Sequence, residues 1–131
     1  FAGRAVMYRS KSQSICAQSS TEAEFIAAVD AAKTAKYLRQ ILSQLGMPPE
    51  GPTKIYCDNS SAIHIINDNR MPTERTRHLD IRWFAIQDWK EAKEIVLLHI
   101  PGVVNPSDAL TKSLGWVLQS RHCRRMMGHH R

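Results

Sequence analysis

Cysteine is sparse in this sequence and follows no metal or disulfide pattern. The 131 residues contain three, Cys16, Cys57 and Cys123, odd in number and far apart. They form no CxxC pair, which excludes a disulfide framework and a cysteine-rich zinc cluster. His122, Cys123, His129 and His130 match no common finger spacing, so no zinc is expected. No stretch approaches the roughly 18 apolar residues of a membrane-spanning helix, so no membrane partner is expected. The first ten residues, FAGRAVMYRS, have neither signal-peptide order nor a starting methionine and read as the interior of a larger protein. Together these features point to a reducing, intracellular setting, cytoplasmic or nuclear, rather than secretion. Low-complexity runs and internal repeats are also missing, leaving a single domain over 1–131 as the expected organisation.

What is abundant is positive charge. Eighteen Lys and Arg against twelve Asp and Glu give +6 and a pI near 9.6, a balance suited to a polyanion such as nucleic acid.

The hydrophobic and capping patterns predict two short strands, Ala5–Tyr8 and Ser14–Gln18, around a polar turn. A helix follows from about Thr21 to Leu45, with Ser19/Glu22 and Thr21/Glu24 both at capping-box spacing. Its expected apolar stripe is Leu38, Ile41, Leu42 and Leu45, and Gly46 with Pro48 and Pro49 should stop it. Thr53–Cys57 reads as a strand, and Asn59–Ser61 as the cap of a short helix through Ile66. Residues 67–76 read as a loop. A helix over Arg77–Ala92 carries the stripe Leu79, Trp83 and Ile86, with Trp83 packed inward, and Glu94–Ile100 is a β-rich run. Ser107 caps one last helix with the stripe Leu110, Leu114, Val117 and Leu118, weakened slightly by Gly115. Strands alternating with helices imply a mixed α/β sheet.

Three acids fall where strands and helices meet: Glu24 in the first turn of the long helix, Asp58 at a strand end, and Asp108 at the start of the last helix. In open α/β sheets such ends gather on one edge. Acids gathered there need a divalent cation, and an oxygen-only set favours Mg²⁺ or Mn²⁺. Taken singly, each also reads as an ordinary cap or turn residue.

Four blocks carry a resemblance. SKSQSICAQSSTEAEFIAAVDAAKTAKYLRQIL is similar to the copia-type retrotransposon signature SKKQ…SSTEAEY. IYCDNSSAI resembles the next block, RTRHLDIRWFAIQDW the RTKHID block, and NPSDALTKSL the terminal AD-x-x-TK-x-L block. The order and spacing match over nearly the whole chain.

The resemblance implies the ribonuclease H domain of a Ty/copia-type reverse transcriptase polyprotein. It implies an α/β, ribonuclease H-like fold with a mixed five-stranded sheet flanked by helices. The reaction it implies is hydrolysis of the RNA strand of an RNA–DNA hybrid by two metal ions, Mg²⁺ or Mn²⁺. The family's acids are Asp, Glu, Asp and Asp. Its Glu falls on Glu24, leaving Glu22 as the capping residue, and the next two fall on Asp58 and Asp108, as catalytic residues and metal ligands. The first Asp belongs to a D-A-D-W-A block on the central first strand, upstream of this sequence, and neither Gly3 nor Arg4 can replace it. The domain is thus expected to be N-terminally truncated, inactive and only marginally stable on its own, and active only when the upstream segment is joined. The upstream reverse transcriptase domain of the same polyprotein is an expected partner. The alternative is a degenerate, non-catalytic nucleic-acid-binding or structural remnant.

For the hybrid, the basic block Arg75, Arg77, His78 and Arg82 is the expected backbone contact. Asn59 and Ser60 can donate to RNA, and Lys112 can meet phosphate beside Asp108. His99 reads as an ordinary strand residue. The arginines of the tail, Arg121, Arg124, Arg125 and Arg131, read as solubilising or as nonspecific attraction.

Overall fold

The computed structural model describes residues 5–10, 19–68 and 80–128. They fall into two compact units, Ala17–His99 and the pair of segments Phe1–Cys16 and Ile100–Arg131.

The larger unit begins with α1, Ser20–Gln44. Its cap is Ser19, whose side chain accepts from the Glu22 N–H at 3.2 Å, so the first of the two capping-box spacings is the one used. At the other end Gly46, at φ +76°, closes a Schellman turn in which the Met47 and Gly46 N–H groups donate to the Leu42 and Ser43 carbonyls. The buried face is not the leucine stripe expected near the C-terminus. It is Phe25, Ile26, Ala28, Val29 and Ala32 with Glu22, while Leu45, the C-cap residue, is 64% exposed. Ala28 and Ala32 leave room for close approach of the neighbouring elements, so the small residues mark the packed half.

β1, Thr53–Cys57, and β2, Ile95–His99, pair in parallel with Thr53 opposite Ile95 and Cys57 opposite His99. Parallel neighbours need a long crossover, and here it holds α2, Ser60–Asn67, and α3, Asp80–Glu91. The period of two puts Ile55, Cys57, Ile95 and Leu97 into the core. Ala62 and Ile66 from α2 and Trp83, Ile86 and Gln87 from α3 complete it. The last carbonyls of α2 are satisfied from α3: Gln87 Nε2 and Lys90 Nζ both donate to Ile66 O, at 2.6 and 2.8 Å. Lys36 of α1 ion-pairs with Glu94 at 3.1 Å and lies 5.3 Å over the Trp89 ring, tying the C-terminal half of α1 to the start of β2.

Among the described residues the sheet has two strands rather than five. Residues 5–10 form no strand. Val6, Met7 and Tyr8 are exposed, and the bonds they do have run elsewhere, from Ala5 N–H to Met126 O at 2.9 Å and from Ser10 Oγ to Leu110 O at 3.1 Å. An alternating run without a neighbouring strand has no ladder to join. The strand expected at 14–18, the loop core at 69–76 and Leu79 lie outside the described residues.

In the smaller unit a 3-10 turn at Gly102–Val104 leads to α4, Asp108–Thr111, and α5, Trp116–Met126. The single terminal helix expected from the sequence is therefore two. Lys112 turns to extended backbone (φ −126°, ψ 145°), and Gly115 is the N-cap of α5 instead of a weak interior position. The break rotates the intended stripe: Val117 faces solvent, and the buried residue is His122. Ser107 precedes α4 but makes no side-chain cap bond.

His122 is 0% exposed, and neither ring nitrogen has a hydrogen-bond partner among the described residues. A buried polar group left unbonded costs about 1–3 kcal/mol. Replacing His122 by leucine, which keeps most of the volume, should therefore raise unfolding stability by about 1 kcal/mol in urea titration. A loss of stability would show that the ring nitrogens are engaged.

Candidate metal centre

Glu24 stands just past the first turn of α1, whose start the Ser19 cap fixes and whose first-turn acid is Glu22. Asp58 follows the last residue of β1, where the chain leaves the sheet. Cys57, one position earlier, points inward with Ile55. These placements bring one ligand atom each from Glu24, Cys57 and Asp58 within 4.8 Å of one another. Two of the three expected acids thus meet, on elements anchored by Phe25, Ile55 and Ala62.

Asn59 caps α2 with its side-chain oxygen, accepting from Ala62 N–H at 3.0 Å. That role was expected for the Asn59–Ser61 segment, and it leaves the amide nitrogen as the donor the side chain can present. Ser60 is exposed beside it. The position just after Asp58 is thus fixed by a capped helix, which limits how far the carboxylate can swing.

Cys57 is the residue the sequence reading missed. The signal was present: a strand of period two that buries Ile55 must also bury Cys57. Burial pushes the thiol's pKa above its ordinary value; a backbone hydrogen bond at Asn59 opposes this, and the charges of Glu24 and Asp58 add to it. Its Sγ lies 3.7 Å from Asn59 O. The neutral thiol adds no charge to the site, so the electrostatics belong to the two carboxylates. Two oxygen donors on rigid elements fit a hard divalent cation, and the protonated sulfur is a poor ligand for one.

Asp108 opens α4 in the smaller unit, and Lys112 Nζ contacts both its oxygens at 2.9 Å. Lys112 is therefore engaged one turn from the acid it was expected to flank, in an exposed pair worth little stability. Arg82 lies in α3 with its Nε buried and lacking a hydrogen-bond partner among the described residues. Arg75, Arg77 and His78 lie outside the described residues. His99 ends β2, exposed, as an ordinary strand residue. No helix among the described residues is long and apolar enough to cross a membrane.

No family model and no solved structure matches the chain. Curated proteins do. The chain is 38% identical over 112 residues to the retrovirus-related Pol polyprotein from transposon TNT 1-94 of Nicotiana tabacum, covering 86% of the chain and 8% of that protein. It is 27% identical over 112 residues to the Pol polyprotein from transposon RE2 of Arabidopsis thaliana, covering 86% of the chain and 8% of that protein. To the RE1 polyprotein of the same plant it is 28% identical over 109 residues, covering 83% of the chain and 7% of that protein. The chain thus spans less than a tenth of the length of these relatives. Its homologues are retrovirus-related Pol polyproteins of plant transposons, which supports a retrotransposon polyprotein as the kind of protein this sequence represents.

Proposed function

We propose that the chain is ribonuclease H sequence of a copia-type Pol polyprotein, acting on the RNA strand of RNA–DNA hybrids. The observation that carries this reading is the meeting of Glu24 and Asp58 from a helix start and a strand end 34 positions apart. Each acid sits at the end of a well-packed element, and carboxylate oxygens grouped within 4.8 Å are the donor set that a hard divalent cation takes. Homology to transposon Pol polyproteins supports a nucleic-acid substrate, and the surplus of basic residues supports binding to its backbone.

In this reading Glu24 and Asp58 hold Mg²⁺ or Mn²⁺, and the resemblance assigns Asp108 to the same acidic set. Bound divalent ions would supply an activated water and stabilise the leaving oxygen. The chain's own contribution is placement: Ser19 fixes the start of α1, Asn59 fixes the chain after Asp58, and the core residues beneath hold both. Asn59 and Ser60 face the hybrid as donors, with Arg75, Arg77, His78, Arg82 and Lys112 along its phosphates. The first carboxylate of the set belongs, by the resemblance, to the domain's own first strand, and the reverse transcriptase domain of the same polyprotein is the partner.

The test is a gel assay with labelled RNA–DNA hybrid and a polypeptide that supplies that first carboxylate together with this chain. Cleavage confined to the RNA strand, dependent on Mg²⁺ or Mn²⁺ and abolished by EDTA, is the expected result. Cleavage that persists in EDTA, or that cuts a DNA duplex equally well, would sink the reading, as would an intact hybrid.

A further inference from the structure

The outward face of α5 shares no residue with the Glu24, Cys57 and Asp58 cluster. No acid follows Asp108 in the sequence, whereas Lys112, Arg121, Arg124, Arg125 and Arg131 do. α5 packs inward through His122, with Leu118 and Gln119 half-buried and the Gln119 side chain donating to Ala109 O at 3.2 Å. Two rows run along the helix at i, i+4, i+8 spacing: Trp116–Ser120–Arg124, with Ser120 half-buried between exposed ends, and Val117–Arg121–Arg125, exposed throughout. Trp116 is 82% exposed and Val117 is also open to solvent. Arg125 reaches Val104 O at 3.4 Å, and Arg121 and Arg124 are exposed cations with no such contact among the described residues. The result is a face about 12 Å long, at 1.5 Å per residue, with an aromatic end and a cationic end.

We propose that this face binds single-stranded nucleic acid, with the Trp116 indole stacking on a base and Arg121 and Arg124 meeting phosphates. An exposed indole offers a flat apolar face on which an unpaired base can stack, whereas the bases of a stacked duplex are not open to it. The cations beside it select a polyanion. An anionic membrane surface is the weaker fit. A membrane-lying helix places its apolar face opposite its basic one, whereas the apolar side of α5 is spent on packing around His122.

The surface is independent of Glu24 and Asp58, so binding is measured on the whole chain in EDTA. The probe is a fluorescein-labelled 15-nucleotide oligo(dT), followed by anisotropy across a salt series. Trp116→Ala is expected to weaken binding at least fivefold at fixed salt and leave the salt slope unchanged; Trp116→Phe should restore most of the loss. Arg121→Gln with Arg124→Gln should lower the slope of log K against log salt by about 1.4, at roughly 0.7 per single-strand phosphate. A duplex of the same length should bind more weakly than the single strand. Unchanged affinity in Trp116→Ala, equal binding of duplex, or attachment to phosphatidylserine vesicles in preference to oligo(dT) would overturn the proposal.

Discussion

Phe25→Ala lowers the unfolding free energy by about 3–5 kcal/mol, the usual cost of emptying a buried phenylalanine site. Phe25 is 1% exposed, and its neighbours on the buried face of α1 are Ile26, Val29 and Ala32. The alanines at 28 and 32 set a close approach, so the backbone has little freedom to collapse into the space a phenyl ring leaves. A domain of ordinary size has about 5–15 kcal/mol in all, so the loss removes a large part of the total. Urea titration followed by far-UV circular dichroism measures it. Ala31→Ser, on the exposed face of the same helix, serves as the comparison and should stay within about 0.5 kcal/mol of the parent. A loss below about 1 kcal/mol for Phe25→Ala would mean that this face does not hold α1. The position next to Glu24 gives the result a second use. If α1 is loosened but the chain still folds, cation binding should weaken together with stability.

The features legible in the sequence are those set by neighbouring residues. The Ser19 cap, the Gly46 stop, the Asn59 cap and both strands depend on backbone bonds within a few positions or on a period of two, and they stand where the pattern puts them. Glu24 and Asp58 could be paired because each sits at the end of a well-signalled element. Features that depend on what an element meets were not legible. Leu38, Ile41, Leu42 and Leu45 have helical spacing as good as that of Phe25, Val29 and Ala32, and only the position of β1 and α2 decides which set is buried. Ala5–Tyr8 has strand composition but no adjacent strand to bond among the described residues. At the end of the chain, an apolar period running through Lys112–Gly115 concealed a break, since Gly115 can weaken a helix or begin one. The shifted register then buried His122, a residue that no hydrophobic pattern selects. Cys57 is marked only by strand alternation, which aims its side chain inward, and not by any motif of its own.

Asp58→Asn abolishes the stabilisation that Mn²⁺ gives to the chain. The substitution keeps shape and removes one charge, so it separates cation binding from packing. A ligand that binds only the folded state raises its stability by RT ln(1 + [L]/Kd), about 2.7 kcal/mol at one hundred times Kd. For the parent chain, thermal unfolding in a Mn²⁺ series should therefore climb steadily above the EDTA value. In Asp58→Asn the curve should stay flat over the same range, reflecting at least a tenfold loss of affinity. The magnitude follows from charge: at 4 Å and an effective dielectric near 20, each unit pair is worth about 4 kcal/mol before desolvation. Even after most of that is offset, more than 1.4 kcal/mol remains, which is one factor of ten. Glu24→Gln should behave alike, because its carboxylate shares the 4.8 Å cluster. Asp108→Asn decides the third position. Loss of the Mn²⁺ effect there would join the acid of α4 to the pair, whereas an unchanged Mn²⁺ curve would leave it as the partner of Lys112. A purely structural Asp58 gives the opposite signature, with stability falling in EDTA and the rise with Mn²⁺ intact. In the hybrid-cleavage assay the same Asp58→Asn change should reduce RNA cleavage to the level seen with EDTA, and retained cleavage would remove Asp58 from the site.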